Sequence, residues 1–88
     1  MRRATANRNS AGKKLRRVRK DLGLSLRDVV AQSQELRNGR GDRRFAVSLS
    51  VLSAIETKGQ PPTIHRLASL ARIYGRPIAE LLSWYGIS

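Results

Sequence analysis

The chain has 88 residues, 18 of them Lys or Arg against six acids, for a formal charge of +12; one small domain with a modest core fits that length, and the charge calls for a polyanionic partner, most commonly nucleic acid. With no cysteine and a single histidine, His65, disulfides, thiol catalysis, Cys-ligated zinc and a His-rich metal centre are excluded, and no cofactor is expected. No stretch approaches the length of a membrane span and no apolar run follows the N-terminal charges, so a cytoplasmic protein is expected.

Residues 1–11 are polar and basic, with Arg2, Arg3 and Arg8 and no apolar period. They are expected to form a flexible arm, either solvated or neutralising phosphates, ahead of a folded domain over 12–88. Nine basic residues and no acid lie between Arg2 and Lys20. A first helix is expected from about Gly12 to Leu22, with Leu15, Val18 and Leu22 on one face. Gly23 is placed to stop it. Ser25 then reads as an N-cap, with Asp28 completing a capping box. The second helix carries Val29 and Val30 and is expected to end between Gln34 and Arg37. Asn-Gly-Arg-Gly-Asp-Arg-Arg, from Asn38 to Arg44, reads as a mobile turn or loop. A short hairpin around Phe45 and Val47 is one continuation. Ser48 reads as the N-cap of a third helix that reaches about Lys58, stops at Gly59, and buries Val51, Leu52 and Ile55. Pro61 and Pro62 set a turn. Thr63 caps a fourth helix with Ile64, Leu67, Leu70, Ala71 and Tyr74 as its apolar set, ended by Gly75. Pro77 suits the first turn of a fifth helix, with Ile78, Leu81 and Leu82 inward. Trp84 and Tyr85 follow; they pack on the domain's own core or form the seam of a two-fold homodimer. His65 reads as an exposed helical residue. The fold class is all-α, with five helices.

Several separated features agree with one family. They are Arg19 in the first helix, G-L-S at Gly23–Ser25, V-S at Val47 and Ser48, I-E at Ile55 and Glu56, the Gly59 stop, and P-T-I-x-x-L-x-x-L-A from Pro62 to Ala71. From Leu15 to Leu82 the chain resembles the phage repressor and Cro type of helix-turn-helix domain, the Xre family, with residues 36–46 as an inserted basic loop. The resemblance implies a transcriptional regulator that binds double-stranded DNA and acts by operator occupancy. The helix beginning at Ser48 would enter the major groove, with Ser48, Leu49, Ser50 and Ser53 toward the bases. Ser25, Arg27, Thr57 and Lys58 would contact phosphates. Arg19 and Glu56 occupy the places of a structural ion pair. None of the residues facing the bases makes the bidentate contacts that discriminate strongly. Leu26 stands where family members frequently have Gln. Arg37, Arg40, Arg43 and Arg44 precede the recognition helix, and arginines in a glycine loop grip phosphates or enter a minor groove; a passive surface loop is the other reading.

Two other functions fit the same sequence. One is an antitoxin-like or adaptor protein with a protein partner, marked by an exposed apolar groove around Phe45, Trp84 and Tyr85. The other is a charge-driven nucleic-acid binder with low sequence preference and steep salt dependence. No G-x-S-x-G, P-loop or metal cluster points to an enzyme.

Overall fold

Local signals in the sequence place most of the helix ends. The computed structural model describes residues 8–87 and is all-helical. Five α-helices, α1 (Arg8–Asp21), α2 (Leu26–Arg40), α3 (Leu49–Thr57), α4 (Ile64–Tyr74) and α5 (Ile78–Trp84), are joined by turns and one 3-10 turn, Arg43–Phe45. No strand occurs among the described residues, so the hairpin expected near Phe45 and Val47 does not form.

α1 begins at Arg8 rather than Gly12. The last residues assigned to the flexible arm are therefore helical, and Ala11 is buried in the core. The rest of the arm lies outside the described residues. α1 ends at Asp21, where Gly23 takes a φ of 72°. Its N–H donates to the Lys20 carbonyl (2.9 Å) and that of Leu24 to the Arg19 carbonyl (3.1 Å), the Schellman closure of a helix C-terminus. Leu22 belongs to this reversal and is 51% exposed, not part of the buried face expected for it. Gly12 is buried against α3, and a Cβ there would overlap the carbonyl oxygen of Ile55. The close approach of these two helices requires a glycine.

α2 starts from a complete capping box: the Asp28 N–H donates to Ser25 Oγ (3.0 Å) and the Ser25 N–H to Asp28 Oδ2 (2.8 Å). That backbone N–H holds the Asp28 carboxyl below its ordinary range. The helix then runs to Arg40, beyond the expected end at Gln34–Arg37. Asn38 and Gly39 are helical; the stop is Gly41, at φ 65° with the same Schellman closure onto Arg37 and Asn38. Arg37 and Arg40 occupy its last turn, where the helix dipole favours cations. Residues 36–46 are therefore mostly structured: the end of α2, a reversal at Gly41, and the 3-10 turn. Asp42 caps that turn by accepting from the Arg44 N–H (3.0 Å).

Two buried hydroxyls fix the strand-like residues that follow. Ser33 of α2 donates to the Val30 carbonyl (2.8 Å) and accepts from the Val47 N–H (2.9 Å). Ser69 of α4 donates to the Phe45 carbonyl. The run into α3 is thus pinned from two sides.

Ser48 and Thr63 cap α3 and α4 by accepting from the N–H groups of Val51 and Arg66, each at 3.2 Å. Leu15, Val29, Val47, Leu52, Ile55, Leu70 and Leu81 form the centre of the core. Val51, Ile78 and Leu82 pack at its edge. Ile64, expected in the buried face of α4, is 55% exposed. Pro77 sits at the N-cap of α5, one residue before its first turn. Trp84 and Tyr85 are both half-buried against the domain's own core. Burial pushes the Tyr85 phenol up to about 12, and raises that of Tyr74 still further.

Candidate nucleic-acid interface

Arg19 joins three elements. Its Nε donates to Glu56 Oε2 (2.8 Å) and its Nη2 to Glu56 Oε1 (2.9 Å), a bidentate pair between α1 and α3. Its Nη1 donates to the Leu24 carbonyl (2.8 Å), in the turn before α2. The bond to Glu56 raises the guanidinium pKa. Both residues are buried, so this pair fixes the angle between helices and neutralises the carboxylate at the end of α3.

Around the pair lies an open groove built from three helices. Arg16 and Lys20 come from α1, Ser25, Leu26 and Arg27 from the start of α2, and Leu49, Ser53, Glu56 and Thr57 from α3. Five residues singled out from the sequence, Ser25, Arg27, Leu49, Ser53 and Thr57, thus share one surface. Ser48, Ser50 and Lys58 are exposed but lie outside its lining. The Ser48 hydroxyl is engaged as the cap of α3, 3.4 Å from the Ser50 hydroxyl. The Thr57 hydroxyl donates to the Ser53 carbonyl (2.7 Å).

Arg16 and Lys20 were not singled out from the sequence as contact residues. A signal was present: with Lys13 and Arg17 they form the face of α1 opposite Leu15 and Val18, and they line a neighbouring depression together. Among the described residues, Arg16, Lys20 and Arg27 have no ion pair with an acid. The groove therefore presents uncompensated positive charge along α3.

The arginines between α2 and α3 are more constrained than a glycine loop implies. Arg40 stacks on the Phe45 ring (4.8 Å), and His65 meets that ring edge-on at 5.3 Å. His65 is consequently half-buried, not the exposed helical residue the sequence suggested. Arg44 forms a bidentate pair with Asp42 (Nη2 to Oδ2 2.7 Å, Nε to Oδ1 3.0 Å), which holds the Asp42 carboxyl down to about 2. Arg37 and Arg43 line a separate shallow depression beside Gly41.

At the C-terminal end, Trp84 lies within 6.0 Å of both Lys14 and Arg76. A distinct apolar groove is formed by Pro61, Pro62, Ile64, Leu82, Tyr85 and Ile87. Ile64 and Ile87 are 55% and 53% exposed there. Phe45 and Trp84, named with Tyr85 from the sequence as its markers, do not line it. No group of three or more His, Cys, Asp or Glu among the described residues could hold a metal ion. No described helix is long and apolar enough to cross a membrane.

A family model described as a helix-turn-helix domain matches residues 10–84. Neither the curated proteins nor the solved structures provide a significant match. The matched span takes in all of α2, the 3-10 turn, α3, α4 and α5, and nearly all of α1. The chain belongs to the helix-turn-helix domain family.

Proposed function

We propose that the protein is a sequence-preferring DNA-binding regulator that acts by occupying an operator, with α3 in the major groove. One observation carries this reading. The groove along α3 brings Arg16, Lys20 and Arg27 together with the start of α2, while Arg19 neutralises Glu56, which also lines it. Cations grouped beside a helix suit a phosphate backbone that borders the groove the helix enters. The Ser25 end of α2 adds backbone N–H groups and a positive helix dipole toward the same region.

A second reading is favoured by a different observation. The apolar groove at Ile64 and Ile87 suits a protein surface, either a second copy or another partner. In the first case the C-terminal region, Tyr85 included, makes a homodimer that reads a pseudo-palindrome. In the second the protein is an antitoxin-like adaptor whose DNA binding serves its own regulation. Selection from a randomised duplex pool at two salt concentrations tests the regulator reading, and sedimentation of the free protein with Ile64→Ser and Ile87→Ser variants tests whether the apolar groove joins two copies. An enriched motif that survives the higher salt is expected. Two symmetric half-sites support the dimer. Binding without enrichment, lost as salt rises, would replace the regulator with a charge-driven nucleic-acid binder.

A further inference from the structure

The exposed face of α3 has little with which to read a base by hydrogen bonding. No Asn, Gln, Arg or Lys occurs from Leu49 to Thr57. The Ser48 hydroxyl is committed to the Val51 N–H (3.2 Å), and the Thr57 hydroxyl proton to the Ser53 carbonyl (2.7 Å). Arg19 and Glu56 are buried and bonded to each other, and Arg19 also donates to the Leu24 carbonyl. Ser50 and Ser53 remain, and a serine hydroxyl accepts or donates to several bases, so it discriminates weakly.

The residue that does stand out is apolar. Leu49, the first residue of α3, is 37% exposed. It lines the groove together with Leu26, which is itself half-buried against the core. The head of the helix therefore presents an aliphatic surface in the same groove as Arg16, Lys20 and Arg27. In the major groove the apolar group on a base edge is the 5-methyl of a pyrimidine.

We propose that Leu49, backed by Leu26, is the principal specificity-determining residue and seats on a pyrimidine 5-methyl group. This rests on the DNA-binding reading above. The chemistry is shared by thymine and 5-methylcytosine, and two substitution series tell them apart. In a duplex enriched by selection, each thymine is replaced in turn by uracil, which lacks only the methyl group. In the second series, each cytosine is replaced by 5-methylcytosine. Dissociation constants are measured for the wild type, Leu49→Ala and Leu49→Met.

Thymine is the expected source. One thymine, or a symmetric pair, should be found whose replacement weakens wild-type binding about fourfold per methyl. Leu49→Met should keep the penalty and Leu49→Ala should lose it. A gain at a methylated cytosine, absent in Leu49→Ala, would support the methyl contact and assign it to 5-methylcytosine. Indifference of the wild type in both series, or equal effects in wild type and Leu49→Ala, would overturn the proposal while leaving DNA binding intact. Failure to bind any duplex would overturn the DNA reading itself, and this inference with it. Leu49 is outside the core, so both variants keep the fold, and the uracil series needs no variant at all.

Discussion

Arg19 satisfies three acceptors with one planar fork, and no other side chain can do that from its position. A lysine at 19 supplies a charge but cannot bridge both carboxylate oxygens and the Leu24 carbonyl together. The Glu56 side chain is only 2% exposed, so losing its partner strands a buried carboxylate. Arg19→Ala is expected to cost about 3–5 kcal/mol, a large share of what holds a small domain together. A urea melt followed by helical circular dichroism measures it, and Arg19→Lys should fall between the two. An Arg19→Ala protein as stable as wild type, with a changed base preference, would move Arg19 from structure to readout. The two ends of this pair were legible in the sequence through the family pattern. The Leu24 contact was not, because a carbonyl's direction is set by the left-handed turn at Gly23 and leaves no mark on residue type. Gly12 was equally silent: its meaning lies in the Ile55 carbonyl opposite it, across a helix interface.

The elements were legible where a cap residue decides an end. Ser25, Ser48, Thr63 and Gly75 all sit at helix boundaries. They were misread where two local signals competed. Asn38-Gly39 looks like a turn, but a glycine in a helix interior costs only about 1 kcal/mol, and the left-handed stop falls two residues later at Gly41. Phe45 to Val47 has the apolar character of a short strand, yet its backbone groups go to the hydroxyls of Ser33 and Ser69 instead of a ladder. Such tertiary partners cannot be inferred from neighbouring residues. This pinning positions the start of α3, because Val47 immediately precedes its N-cap. Ser33→Ala removes the partner of the buried Val47 N–H and should cost about 1–3 kcal/mol. Amide exchange should accelerate most at Val47 and its neighbours, with the centre of α1 following only the global loss. Uniform acceleration across all helices would mean that Ser33 supports overall stability and does not specifically hold the approach to α3.

For the molecule as a whole, the +12 charge was legible at once, but its arrangement was not. Which cations flank α3 depends on how α1 crosses it, and that crossing is set by Gly12 and the Arg19–Glu56 pair. The sequence drew attention to Arg40, Arg43 and Arg44 because they precede α3 in the chain. In three dimensions Arg40 is stacked on Phe45 and Arg44 is paired with Asp42, while Arg16 and Lys20 line the groove with Leu49. These placements make opposite demands on the salt dependence of binding. If the cations of α1 neutralise phosphates, Arg16→Ser with Lys20→Ser should flatten the slope of log affinity against log salt by roughly 1 per residue, with a similar loss on every duplex. Arg44→Ser should do less, since its charge is already shared with Asp42. It also frees a carboxylate, so any loss it causes should include a repulsive part that Asp42→Asn in the same chain relieves. Isothermal titrations at several salt concentrations distinguish the two sets. A larger slope change at Arg44 than at Arg16 and Lys20 would place the phosphate contacts on the segment before α3, and the groove built by α1 would then lie away from the DNA.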